Sequence, residues 1–242
     1  MKQTSNNVEC IRKTFAELYK EKQFTIDARG NKVVEIIGAS FLADEPTIFA
    51  EVNNEYVAAE IAWYESESTN INDIYKGKRE PPKAWQSSAD KHGNINSNYG
   101  HLVFSQKYFQ QYHKVCSELM NNPTSRRATM VYNRPSIWLE YNENGKSDFI
   151  CTNAVTYYLR DEYLHCVVQM RSNDVWAGYR NDRAWQMYLL EGVAGAIKAK
   201  TGNIFWQVQN LHLYERQFYL LDHYAKTGEH AISHEEYKKL YS

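Results

Sequence analysis

This chain has no long apolar run. Nothing in its 242 residues approaches the roughly 18–20 consecutive apolar residues of a membrane span, and the first residues, "MKQTSNNVECIRKTF", lack the apolar core of a signal peptide. Cysteine is scarce. Cys10, Cys116, Cys151 and Cys166 lie far apart without a CxxC pair, which argues against a zinc site or a disulfide framework and fits a reduced, cytoplasmic setting. Neither sign of charge dominates: 28 basic residues face 29 acidic ones, for a net charge of -1. Nonspecific nucleic-acid binding needs a basic face, so direct nucleic-acid partners are not expected. A local cluster of arginines can still serve a small phosphate ligand.

What is present is ordinary for a globular chain: 43% hydrophobic and 24% charged residues, with no repeat and no low-complexity tract. The length suits a single large domain over 1–242. Apolar residues at helical spacing predict helices over 9–22 (Ile11, Phe15, Leu18), 50–66 (Val52, Tyr56, Ala59, Trp63, close to Glu60) and 106–120 (Phe109, Tyr112, Cys116, Leu119). "KVVEIIGASF" reads as a strand, and "SESTNINDIYKGKREPPK" as the most loop-like segment. In the second half "RRATMVY", "NAVTYYLRDEYLHCVVQMRS" (turning near Asp161 and Glu162) and "GNIFWQVQNLHLY" read as strands, around a helix over 182–198. Helices first, then strands with one long helix among them, favour α+β over alternating α/β.

Several side chains could carry chemistry. Cys151 in "DFICTN" is a candidate nucleophile if cations promote its thiolate, although a lone cysteine is more often a small buried hydrophobe. Arg126, Arg127 and Arg171 offer forked donors for an anion. Glu60 lies in "YVAAEIAWY"; facing a pocket, desolvation would raise its pKa and suit it to proton transfer. His212 and Tyr214 alternate along a strand and so share a face. "MRSNDVWAGYRND" (170–182) crowds hydrogen-bonding groups into a segment whose flanks read as buried.

The blocks "TSRRATMVYNRPS", "DFICTNAVTYYLRD", "MRSNDVWAGYRNDRAWQMY" and "NLHLYERQFY" resemble, in order and spacing, the thymidylate synthase superfamily. "EIIGASFLADEP", "INSNYG", "NRPS" and "RSNDV" are similar to its phage branch, the deoxycytidylate hydroxymethylases. The resemblance covers nearly the whole chain. It implies a large mixed β-sheet flanked by helices, with two such sheets packed back to back in a homodimer, and for a phage-encoded chain the host cytoplasm.

The resemblance also assigns roles. Cys151 matches the nucleophile that adds to C6 of the pyrimidine. Arg126 and Arg127 match a pair that reaches the nucleotide phosphate of the other subunit, and Arg171 and Ser172 match phosphate ligands from the same subunit. His212 and Tyr214 match the pair on the deoxyribose 3'-hydroxyl. Asp174 matches the acid that orders pyrimidine O2 and the folate; Glu60, Trp85, Tyr99 and Asn153 match residues lining the pyrimidine and folate pocket. The position matching Asp182 is asparagine in thymidylate synthases, where its amide complements uracil. A carboxylate instead accepts from the cytosine N4 amine, so Asp182 points to dCMP. The implied cosubstrate is 5,10-methylenetetrahydrofolate, without a metal, and the implied product is 5-hydroxymethyl-dCMP.

The chain departs from thymidylate synthases in three places. Their phosphate-loop arginine aligns with Ala28, beside Arg29. Ile150 and Thr152 replace the proline and histidine that flank the nucleophile. The C-terminus "EEYKKLYS" lacks the apolar tail that closes over folate. Open alternatives are a thymidylate synthase, a dUMP or CMP hydroxymethylase, and a silent scaffold in a nucleotide-synthesis complex.

Overall fold

The computed structural model describes residues 6–241. In chain order these form β1 (Asn6–Asn7), α1 (Val8–Lys20), β2 (Thr25–Ile26), β3 (Lys32–Leu42), α2 (Asn54–Glu65), α3 (Lys83–Ser88) and α4 (Tyr99–Phe104). There follow α5 (Gln111–Asn121), β4 (Thr129–Val131), α6 (Ile137–Glu140), β5 (Thr152–Arg160) and β6 (Tyr163–Met170). Last come β7 (Asn173–Asp174), α7 (Gly178–Ile197), β8 (Lys200–Tyr214), α8 (Phe218–Thr227) and α9 (His234–Tyr241). The sheet has eight strands in the order β1-β3-β8-β6-β5-β4, with β2 on β3 and β7 on β8. The β1–β3 and β7–β8 ladders are parallel and those of β2–β3, β3–β8 and β4–β5 antiparallel, so this is a mixed sheet of the α+β class. Among the described residues no helix is long and apolar enough to cross a membrane.

The chain divides into two compact units. The first comprises Met1–Val52, Met170–Met187 and Asn203–Ser242. Here α1 starts at Asn7, whose side chain accepts from Cys10 N, and its Val8, Ile11 and Phe15 are buried against β3 and α8. Arg12 on the same helix is also buried, at 3% exposure. A guanidinium can be buried when its donors are matched: here it meets both oxygens of Glu45 (2.8 and 2.7 Å) and the carbonyls of Thr47 and Ile48.

The second unit comprises Asn53–Gln169 and Tyr188–Gly202. Its α2 and α4 pack at a close approach that only glycine permits. A Cβ on Gly100 would lie 1.7 Å from the carbonyl oxygen of Tyr64. Asp161 and Glu162, both at positive φ (49° and 69°), make the tight turn between β5 and β6.

Three expectations from the sequence need correction. The helix expected over 106–120 is two pieces: Ser105 starts one short turn, and Phe109 and Gln110 then adopt positive φ (65° and 49°), so the helix proper begins at Gln111. Phe109, counted in its apolar stripe, is 78% exposed. "RRATMVY" is strand only over Thr129–Val131. The helix expected from 182 starts at Gly178, because Asp174 accepts from the backbone N–H groups of Trp176, Ala177 and Gly178 (3.1, 3.0 and 3.5 Å) and caps it there. Asp182 therefore stands inside α7, in its second turn.

Candidate active site

Helix α2 sets Tyr56 and Glu60 one turn apart, so their side chains meet on one face. The Tyr56 hydroxyl donates to Glu60 Oε1 at 2.5 Å; the Trp85 indole N–H, presented by α3, lies 2.9 Å from the Tyr56 oxygen and 3.3 Å from the same carboxylate oxygen. Glu60 is 6% exposed. Burial pushes its carboxyl up to about 7, against the pull of the two donors. Burial and the adjacent carboxylate also hold the Tyr56 hydroxyl far above the usual phenol range, so it stays a donor. The result is a carboxyl that exchanges protons near neutral pH, as a general acid–base group must.

An aromatic wall leads away from this group. Trp85 meets Trp63 edge-on, Trp63 stacks on Tyr64, and Tyr64, Tyr99 and Tyr132 follow at centroid separations of 5.2–5.5 Å. Tyr99, at 4% exposure, is part of this wall. Tyr132 N and Asn133 N both donate to the Asn153 carbonyl, and the Asn133 amide donates to Asn153 Oδ1 at 3.1 Å. Cys151 sits at a bend just before β5 and is half-buried, while Ile150 and Thr152 on either side are fully buried. The Cys151 sulfur lies 3.9 Å from the Phe149 carbonyl. Arg126 and Arg127 are both exposed; Arg127 Nε donates to Glu118 at 3.0 Å.

In the first unit a second group gathers where β7 runs beside β8. Asp174 pairs with His212 and Asn173 with Leu211, Asn210 N donates to the Arg171 carbonyl, and Val175 N donates to the His212 carbonyl. Arg171, Ser172 and Asp174 thus lie alongside the strand that carries His212 and Tyr214. Those two rings are half-exposed, 5.0 Å apart and edge-on, while Leu211 and Leu213 on the other face are fully buried. Glu35, opposite His212 on β3, accepts from the Asn210 amide N–H at 2.6 Å. That turns Asn210 Oδ1 toward His212 Nδ1 (3.0 Å), so Nδ1 carries the proton and Nε2 becomes the acceptor. Burial raises the Tyr214 hydroxyl and keeps it protonated. Asp182 Oδ2 accepts from Asn173 Nδ2 at 2.7 Å.

A family model described as Thymidylate synthase matches residues 46–234. The chain belongs to the thymidylate synthase family. It is 47% identical over 98% of both chains to the deoxycytidylate 5-hydroxymethyltransferase of Enterobacteria phage T4, and 48% identical over 97% of both to that of Enterobacteria phage T6. It is 26% identical over 66% of its length to the thymidylate synthase of Buchnera aphidicola subsp. Baizongia pistaciae, covering 59% of that protein.

Against this family background two departures acquire a structure. Arg29 sits exposed in the turn Asp27–Gly30, its backbone N–H on Asp27 Oδ1. The C-terminal segment is a short helix, α9, docked on α8 by the Tyr237 hydroxyl on Asp222 and by Tyr241 against His223. Two side chains that sequence reading missed join these groups, Tyr56 the first and Asn173 the second. Tyr56 was legible as the residue one helical turn before Glu60. Asn173 lay within the quoted "RSNDV" but was given no role. Among the described residues no group of three His, Cys, Asp or Glu side chains could hold a metal ion.

Proposed function

We propose that this chain is a deoxycytidylate 5-hydroxymethyltransferase, joining dCMP, the one-carbon unit of 5,10-methylenetetrahydrofolate and water into 5-hydroxymethyl-dCMP and tetrahydrofolate. The observation that carries this reading is the 47–48% identity, end to end, to the phage T4 and T6 proteins of that name. Asp182, a carboxylate where thymidylate synthases carry an amide, supports the choice of cytosine.

Cys151 adds its sulfur to C6 of the pyrimidine, and the electron pair displaced from the C5–C6 bond makes C5 nucleophilic. Asp182 accepts from the N4 amine and, once N3 is protonated, from N3–H as well. Negative charge that develops at N3 as Cys151 adds is taken up by that proton, and the new N3–H gives the carboxylate a second donor that the bound substrate lacks, so the pairing favours the adduct over bound substrate. Folate, when bound, supplies the one-carbon unit to C5; Trp85, Tyr99, Glu60 and Asp174 are the residues assigned to hold it. The half-buried indole of Trp85 suits a flat heterocycle, whereas Tyr99 contributes to the wall behind it and the Asp174 carboxylate is already engaged in capping α7. Loss of the C5 proton and departure of tetrahydrofolate leave an exocyclic methylene on C5; Glu60, with its carboxyl at about 7, takes a proton from the water that adds to that methylene. Expulsion of the Cys151 thiolate from C6 restores the ring's double bond.

Arg171 and Ser172 bind the phosphate, and the His212 Nε2 acceptor and the Tyr214 hydroxyl hold the 3'-hydroxyl. Asn153 lines the pyrimidine pocket. Arg126 and Arg127, exposed on their own subunit, reach the phosphate held by the other subunit of a homodimer. A back-to-back dimer is supported by the strands themselves: β6 and β8 bury alternate side chains on one face and leave the other partly exposed. One catalytic domain over 1–242 is supported by the family match, which runs through both compact units. For a phage-encoded enzyme the host cytoplasm is the setting. Tritium release from [5-³H]dCMP, dependent on methylenetetrahydrofolate, tests the reading; no release would overturn it.

A further inference from the structure

Asp182 is held by a neighbour with no other evident task. Asn173 is 4% exposed, and its amide Nδ2 donates to Asp182 Oδ2 at 2.7 Å. The backbone of Asn173 is fixed by the parallel pairing of β7 with β8, opposite Leu211. Gly178, at the start of α7, gives the amide its room: a Cβ there would approach Asn173 Nδ2 to 3.0 Å. The other end of the amide, Oδ1, is buried and makes no hydrogen bond. Leaving a buried acceptor unmet is unfavourable, so something must dictate this orientation. Flipping the amide would set Oδ1 against a carboxylate oxygen, acceptor facing acceptor. The charge of Asp182 fixes which way the amide points, and the amide in turn fixes the rotation of the carboxylate.

We propose that Asn173 is a positioning residue for base selection: it holds Asp182 as an ionised, rotationally fixed acceptor aimed at an exocyclic amine. This rests on the reading of Asp182 given above. The need for such a partner follows from the chemistry of a carboxyl group. Protonated, it can donate to the O4 carbonyl of uracil; rotated, it can present either oxygen to N3 or to the 4-substituent. An N–H donor on one oxygen disfavours a proton there and orders the whole group. Discrimination between an amine and a carbonyl then depends on Asn173 as well as on Asp182. The same donor governs an amide placed at 182. It draws that amide's oxygen toward Asn173 and presents its NH2 to the base, the pattern uracil O4 requires.

The test uses the full chain and four proteins: wild type, Asn173→Ala, Asp182→Asn and the double variant, each assayed for kcat/KM with dCMP and with dUMP. A hydrogen bond to a charged group is worth about 10- to 100-fold, so Asn173→Ala should lower dCMP turnover by about that factor and leave dUMP turnover little changed. In the Asp182→Asn background the same change should lower dUMP turnover. Equal losses for the two nucleotides would mark Asn173 as a packing residue and overturn the proposal. If thermal melting shows Asn173→Ala to be unfolded, Asn173→Ser is read by the same ratio. An Asp182→Asn protein with an unaltered dCMP:dUMP ratio would overturn the base-reading role of Asp182 itself. A shifted ratio there, with none in Asn173→Ala, would overturn the positioning role alone.

Discussion

Replacing Glu60 by glutamine should stabilise this protein at neutral and higher pH while disabling it. Burial raises the Glu60 carboxyl from 4.5 to about 7 in the folded chain. Between those values the folded state binds more protons than the unfolded one, so stability falls as pH rises through that window and levels off above about 7. At about 1.4 kcal/mol per tenfold, the displacement amounts to about 3 kcal/mol, a large share of a typical domain's stability. Glutamine is neutral, of the same shape, and still offers an oxygen to the Tyr56 hydroxyl and the Trp85 N–H, so it escapes this decline. Urea unfolding of both proteins at pH 5, 6, 7 and 8 should show Glu60→Gln gaining on wild type by up to about 3 kcal/mol across the series. A difference independent of pH would refute the claim that Glu60 titrates in a desolvated site. Tyr56→Phe removes a donor that favours the carboxylate, so it should move the wild-type decline, and the activity midpoint that follows it, upward by about 1–2 pH units.

Cys151→Ser should nearly abolish turnover yet leave dCMP binding measurable by calorimetry, because a hydroxyl at that position is a far weaker nucleophile than a thiolate. Asp182→Asn should shift preference from dCMP toward dUMP in a competition assay. Arg126→Ala should lower activity by weakening the phosphate site of the other subunit. Mixing it with inactive Cys151→Ser should restore part of that activity, since one site of the mixed dimer then has both residues intact.

The large elements of this fold were legible because their apolar spacing is regular and their ends carry familiar signals. The stripe of α1 and the alternation of β6 and β8 are examples. The failures occurred where a local cap or an unusual backbone conformation overrode the apolar spacing. Asp174 starts α7 four residues early by capping it, and Phe109 with Gln110 breaks a stripe that looked continuous. In the candidate site, motif resemblance named the residues proposed to meet substrate, and strand alternation alone put His212 and Tyr214 on one face. Their supports were less visible. Glu35 and Asn210, 175 residues apart in sequence, set the tautomer of His212, and such a pairing appears only once β3 lies beside β8. Asn173 was in plain view within "RSNDV", but its bond to Asp182 needs the helix start that Asp174 imposes.

Mass spectrometry of the products formed when dCMP, dUMP and CMP are offered together with methylenetetrahydrofolate tests the central claim most directly. 5-Hydroxymethyl-dCMP should be the main product, with folate recovered as tetrahydrofolate. A methylated nucleotide with dihydrofolate, or a product drawn chiefly from dUMP, would contradict it.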